Sequence, residues 1–268
     1  MTAPYLLGAS PAEIERLAFQ GEVWRSMTEG LFDRLGVAEG MRCLDVGAGI
    51  GVVTLPLAQR VGTSGSVTAI EAAPLYAETL REQLARKDFA NVEIFEGDVR
   101  RFKPKPGSYD LVFARWFVSF LPDAEKVLKS LAAGLKRGGA LAVEDYHHLG
   151  CAYCPRRDSF DAVVEAARRW YAKHGGDARV AGELPAVFHR LGLREISVEP
   201  HVRAGGPDSE IWRWSELFFL GRLPDLVRER LVSPALAARF KKDLAAVKKT
   251  PGALFIAPTV LDVVGRRP

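Results

Sequence analysis

The sequence predicts an α/β fold, a sheet of mainly parallel strands with helices on both faces. Three observations carry this reading. Arg42–Gly51 (RCLDVGAGIG) reads as a short buried strand, with Cys43, Leu44 and Val46 apolar, running into a glycine-rich turn that opens a helix, GVVTLPLAQRVG. Further apolar runs then alternate with amphipathic stretches up to Asp145, the pattern of strand–helix–strand units. The acids Asp45, Glu71 and Asp98 stand at or just beyond the ends of the first three strands, on the carboxyl edge where open α/β sheets bind ligands.

Composition sets bounds. The 268 residues are 48% hydrophobic and 26% charged, ordinary for a soluble globular chain. A net charge of +4 is too mild to argue for nucleic acid. The pairs Arg168-Arg169, Lys241-Lys242 and Lys248-Lys249 read as solvated helix faces. Three cysteines make no disulfide framework, so a reducing, cytoplasmic setting is expected. MTAPYLLGAS has neither a basic leader region nor a long apolar run, so no targeting segment or membrane partner is expected. Monomer and homodimer both stay open.

Taken in order, Ser10-Pro11-Ala12-Glu13 is a helix start, with serine as cap, proline in the first turn and glutamate completing a capping box. One cap helix is expected over residues 10–36, with Phe19, Trp24 and Phe32 packing on the core or forming a lid. After the glycine turn, Ser66–Glu71 is the second strand, Pro74–Asp88 a helix and Asn91–Phe95 the third strand. Glu71 can accept hydrogen bonds from two ribose hydroxyls, because an ionised carboxylate is a pure acceptor. Asp98 suits an adenine amino group and the Val99 amide a ring nitrogen. Tyr109–Ala114 is the fourth strand. A helix then runs from Leu121-Pro122-Asp123 with Val127, Leu128, Leu131 and Leu135 buried, ended by Gly138-Gly139, before the fifth strand Ala140–Asp145.

The glycines narrow the ligand. A dinucleotide turn wants G-x-G-x-x-G, but Val52 stands where the third glycine belongs, and Gly51 comes one position early. D-x-G-x-G-x-G over Asp45, Gly47, Gly49 and Gly51 resembles motif I of the class I S-adenosylmethionine-dependent methyltransferases. The run YDLVFARWFVSFLPDAEKVLKSLAAGLKRGGALAVED is similar to their fourth strand, helix, glycine turn and fifth strand. The resemblance covers about residues 40–145 and is nearest to the ubiquinone/menaquinone-biosynthesis group, which acts mostly on small molecules. It implies a seven-stranded Rossmann-like sheet, with Glu195–Val202 as sixth strand and Leu254–Val264 as seventh, antiparallel between strands five and six. Pro258 marks a bulge or bend there. It also implies S-adenosylmethionine as cofactor, held by Asp45, Gly47, Ala48, Gly49, Glu71, Ala72, Asp98, Val99, Ala114 and Arg115.

Residues 40–145 are thus read as the cofactor-binding core of a single domain spanning 1–268, with helical insertions at 146–182 and 204–252 meeting the cap helix over the acceptor site. Ile211, Trp214, Leu217 and Phe218 form an apolar stripe in the second insertion, so a partly apolar or aromatic small-molecule acceptor is expected. His147 follows the fifth strand, where an imidazole can take a proton from the acceptor, with His148 and Arg115 orienting it. Cys151-x-x-Cys154, with His147 and His148 upstream, could hold a metal, but a structural site usually brings its second ligand pair from further along the chain, so no metal is assigned. The competing readings are a non-catalytic adenosyl-binding module, a macromolecule methyltransferase and an NAD(P)-dependent oxidoreductase. Val52 and the lack of a Tyr-x-x-x-Lys pair weaken the last of these.

Overall fold

The computed structural model describes Gly8 and residues 10–268. Helices α1 (Pro11–Val23) and α2 (Arg25–Leu35) precede β1 (Arg42–Val46), α3 (Thr54–Val61), β2 (Ser66–Glu71), α4 (Pro74–Arg86) and β3 (Val92–Glu96). Then come β4 (Tyr109–Arg115), α5 (Ala124–Ala132), β5 (Leu135–His147), β6 (Ala152–Cys154), α6 (Asp158–Lys173), α7 (Leu184–Arg190) and β7 (Arg194–His201). The chain continues through β8 (Ala204–Gly205), α8 (Glu210–Arg228), α9 (Pro234–Val247), β9 (Leu254–Ile256) and β10 (Thr259–Arg266).

Seven strands form the main sheet in the order β3-β2-β1-β4-β5-β10-β7. The first five run parallel, and β10 is antiparallel to both β5 and β7, as the resemblance implied. Leu44, Val46, Val112, Leu141 and Val143 pack against α5 and α7 on one face. Cys43, Leu111, Phe113 and Ala142 pack against α2 and α3 on the other. The central strands are therefore apolar on both sides, as a helix-covered parallel sheet requires.

Ser10 caps α1, its Oγ accepting from the Glu13 amide at 3.2 Å. The Glu13 carboxylate turns to Arg16 at 2.7 Å instead of closing a capping box. The single cap helix expected over 10–36 is two helices joined at Trp24, whose side chain is fully buried. The helix expected to run on to Gly138 stops at Ala132, and Leu135 and both glycines belong to β5. There the Gly138 amide donates to the Arg267 carbonyl at 2.8 Å, a long-range bond that local pattern does not announce.

The expected last strand is split at Pro258. β9 leaves the main sheet to pair with β6 and β8 in a small second sheet, so Cys154 stands opposite Leu254. A proline has no amide to continue a ladder. Tyr153 lies at the centre of this region between Phe160, Trp212 and Phe255, and its hydroxyl donates to Ser215 Oγ at 2.7 Å. α6, α8 and α9 close around it. Most of the aromatic stripe is thus core packing, with Leu217 left 37% exposed. Cys151 is buried and its thiol pushed up to about 12, so it stays protonated. No described helix is long and apolar enough to cross a membrane.

Candidate active site

The turn after β1 is built from positive-φ backbone, with Gly47 at 75°, Gly49 at 56° and Gly51 at 96°. Only glycine takes such angles without steric cost. A Cβ at Gly51 would sit 2.5 Å from Leu80 Cδ1, whereas one at Gly49 meets no atom of the described residues within 4 Å, so among these residues the turn is packed from below and open at its tip. The Gly47 and Ala48 amides donate to the Ile70 carbonyl at 3.0 and 2.9 Å, tying the turn to the end of β2.

Two buried carboxylates hold this elbow. Glu71 ends β2 and accepts from the Gly49 amide at 2.7 Å on one oxygen and from the Ala73 amide at 2.7 Å on the other. Burial pushes its carboxyl above the usual range, and the amides oppose the shift. Asp45 accepts from Thr54 Oγ1 at 2.6 Å and is pushed up to about 6, chiefly by burial, with the Thr54 bond and the charge of Arg115 opposing. The third acid is differently placed. Asp98 caps a short 3-10 turn at residues 99–101, accepting from the Arg100 amide at 2.9 Å and pairing with the Arg100 guanidinium, which also reaches Asp123 at 3.0 Å. Val99 is buried, and Ala72 is exposed at the strand end.

Arg115, at the end of β4, is buried rather than free. Its guanidinium donates to Thr28 Oγ1 of α2 at 2.8 Å, and that hydroxyl donates to the Glu144 carboxylate at 2.8 Å. Arg115 and Glu144 are cross-strand partners, and Glu144 in turn faces Asp262 of β10. A row of buried charge therefore crosses three strands beneath α2. Burial lowers Arg115 and raises Glu144, each opposed by the other's charge. The row ends where Arg34 of α2 bonds both Asp262 and Glu199, and His201 meets Asp262 at 2.8 Å. Ligand atoms of Glu199, His201 and Asp262 lie within 4.8 Å of one another, and Arg34 takes up the charge of both acids.

Beyond Arg115 the chain turns sharply. Trp116 sits at φ 47°, a left-handed conformation that costs a bulky residue of order 1–3 kcal/mol and persists only where its surroundings hold it. What holds it is a stack on Tyr146, with centroids 5.5 Å apart and planes 10° from parallel, the Arg115 guanidinium 4.7 Å from its ring, and Trp24 edge-on at 5.8 Å. Phe117 then lies over the glycine turn, 2.5 Å from where a Gly47 Cβ would stand. Asp145 fixes this crossing, accepting from the Ser119 amide at 3.0 Å and the Tyr146 amide at 2.8 Å.

The two histidines part company. His147 Nδ1 meets the Arg179 carbonyl at 3.3 Å and packs against Gly182. His148 is 4% exposed, edge-on to Tyr146 at 5.9 Å, and its Nδ1 has no partner among the described residues. Burial and the nearby Arg168 push it down to about 4, so it is neutral at pH 7.

Residues 43–139 match the family described as "Methyltransferase domain". Over that stretch the chain is similar to methyltransferases. It is 33% identical over 121 residues to the aklanonic acid methyltransferase DauC of Streptomyces sp. strain C5, covering 45% of this chain and 55% of that one. It is 29% identical over 202 residues to the demethylmenaquinone methyltransferase of Lactococcus lactis, covering 70% and 77%. The chain thus spans about half the length of the first relative and most of the second. The structure superposes on phosphoethanolamine N-methyltransferase 2 of Haemonchus contortus, solved with phosphomonomethylethanolamine and S-adenosylhomocysteine, with TM-score 0.59 and 17% identity over 91% of this chain and 52% of that one. At that identity the likeness is one of fold.

The fold brings Asp45, Gly47, Ala48, Gly49 and Glu71 together and sets Ala114 and Arg115 beside them, while Asp98 is engaged with Arg100. Sequence reading missed Thr28, Glu144 and the aromatic wall that Trp116 and Tyr146 build with Trp24, a residue expected to pack on the core or form a lid. Glu144 carried a signal, being a charged residue inside the apolar run ALAVED. The left-handed Trp116 carried none. Two cavities flank the domain, one of about 900 Å³ between α1 and α8 and one of about 490 Å³ beside Trp24. Neither is lined by the glycine turn, of which Phe117 covers Gly47.

Proposed function

We propose that this chain transfers a methyl group from S-adenosylmethionine to a small-molecule acceptor held against the aromatic wall. The observation that carries the reading is the elbow itself: a turn open above Gly49 among the described residues, set on two buried carboxylates, with Arg115, whose charge reaches Asp45, tied to Thr28 and through it to Glu144. Such a site suits an uncharged ribose and a cationic donor. A diphosphate would need basic side chains that the turn lacks.

Bound S-adenosylmethionine supplies an electrophilic methyl group on a sulfonium. Each Glu71 oxygen accepts one amide and keeps capacity for a ribose hydroxyl. Asp45 places negative charge beneath the donor. Asp98 serves the adenine by sharing its carboxylate with Arg100, and the Val99 amide and Ala72 border the same end. Ala48 and Ala114 line the floor. Phe117 swings off Gly47 to admit the donor and then excludes water, which favours displacement by a positioned acceptor. Arg115 acts through Thr28 and Trp116 as a positioning residue. With Nδ1–H donating to the Arg179 carbonyl, His147 keeps Nε2 free to take a proton, and neutral His148 orients the acceptor. An unchanged pH–rate profile in His147→Ala removes His147 from the mechanism.

The test is a thermal-shift and calorimetric titration with S-adenosylhomocysteine and NAD. A ligand of the native state at 100 times its Kd adds about 2.7 kcal/mol. For a domain of this size that is a rise of roughly 5–10 °C in Tm. S-adenosylhomocysteine is expected to give such a rise and NAD none; the reverse result overturns the proposal.

A further inference from the structure

The buried charge row ends on a rigid two-strand ladder. β7 and β10 are antiparallel neighbours, with Glu199 directly opposite Asp262 and His201 two residues beyond Glu199. Residues two apart on a strand share a face. All three side chains accordingly lie on the side of the sheet where Arg34 of α2 reaches Glu199 and Asp262. Their donor atoms stand within 4.8 Å of one another. The Glu199 side chain is 48% exposed, that of His201 21% and that of Asp262 1%, so the group is open to solvent at one end and anchored at the other. Asp262 adds a separate observation. Its Oδ2 meets Arg34 and His201, but its Oδ1 is buried and has no hydrogen-bond partner among the described residues. A buried carboxylate is ordinarily paired or coordinates a metal. The charges do not close either. Arg34 is a single cation set against two carboxylates, and Glu144, the neighbour of Asp262 on β5, is a further acid already answered by Arg115. Arg203 rests over the Trp24 ring and has no acidic partner among the described residues.

We propose that Glu199, His201 and Asp262 bind a divalent transition-metal ion of the zinc type, which displaces Arg34 as their counter-charge. One imidazole with two carboxylates suits zinc and its neighbours, whereas calcium and magnesium take oxygen donors. His201 offers Nε2 as the neutral ring, its proton on Nδ1. Zinc lies about 2.0–2.2 Å from such donors, so a tetrahedral set spaces them roughly 3.4 Å apart. Closing from 4.8 Å asks for about 1.4 Å, which the exposed Glu199 side chain supplies by rotating. Water takes the fourth position, and Asp262 Oδ1 gains the partner it lacks. Arg34 is 42% exposed on a flexible stem and turns to solvent. Bound there, the ion fastens the edge strand β7 to β10. The inference stands apart from the proposed methyl transfer.

The experiment is isothermal titration calorimetry of zinc, and separately of calcium, into the untagged, chelator-treated full chain. Wild type is expected to bind a single zinc ion per chain and no calcium. His201→Ala and Glu199→Gln alter partly exposed positions that the fold tolerates, and each weakens zinc about tenfold or more. Arg34→Ala removes the competing cation and tightens zinc about tenfold or more. Cobalt(II) in place of zinc gives the visible d–d bands of a four-coordinate ion, and His201→Ala abolishes them. The inference is overturned by wild type that binds no zinc at micromolar concentration, or that binds calcium as tightly as zinc. It is equally overturned by an unchanged zinc affinity in His201→Ala, or by one that is unchanged or weaker in Arg34→Ala.

Discussion

Replacing Glu71 by alanine removes the clasp that joins the glycine turn to the second strand. The carboxylate accepts from the Gly49 and Ala73 amides, each at 2.7 Å. Hydrogen bonds to a charged group contribute about 1.5–3 kcal/mol each. The two losses are unequal. Gly49 is partly exposed and its amide rehydrates, whereas Ala73 is buried and its amide stays unpaired. Against this, Glu71→Ala returns the cost of burying a carboxylate, the same cost that raises the Glu71 carboxyl. The net is a destabilisation of about 2–3 kcal/mol. Glu71→Gln keeps one acceptor but sets an NH2 group against an amide, and falls between the two. Urea denaturation with a common m-value measures these differences. An alanine variant within about 0.5 kcal/mol of wild type would falsify the clasp, because that is the range of an inert surface change. The same variant is expected to weaken S-adenosylhomocysteine binding at least tenfold, since in the proposed function the turn and the ribose share one carboxylate.

Asp45 predicts a pH dependence. Its carboxyl titrates near 6, and a cationic donor binds the ionised form. Affinity for S-adenosylmethionine is therefore full above that value and falls as pH drops through it, by up to about tenfold per unit. Calorimetry from pH 5 to 8 on wild type and Asp45→Asn tests this, and a flat wild-type profile rejects it. Thr28→Val leaves Arg115 and Glu144 without their bridging hydroxyl, and an unfolding free energy about 1–3 kcal/mol below wild type is expected. Gly51→Ala combines a φ of 96° with a Cβ 2.5 Å from Leu80 Cδ1. A loss of roughly 2–4 kcal/mol by chemical denaturation is expected; a neutral result would mean that the turn can relax.

Element order and the elbow were readable in the residues because both are written locally. Glycine spacing dictates the turn, an acid at a strand end needs no distant partner to be recognised, and Ser66–Glu71 is bounded by its own pattern. The seven-stranded sheet followed from family resemblance, and its antiparallel last strand between the fifth and sixth was found as expected. Boundaries failed where a distant partner decided them. Trp24 divides the cap helix because two tryptophans pack on it, and Pro258 divides the last strand because β9 has another sheet to join.

What surrounds the elbow was decided by the tertiary structure alone. Arg115 meets Thr28 across 87 residues, and Thr28 meets Glu144 across 116. Asp98 is drawn to Arg100 and Trp116 is forced left-handed by its ring partners. Burial then turns these meetings into shifted protonation states and uncompensated charge, and no one-dimensional pattern encodes which charges will be left unpaired.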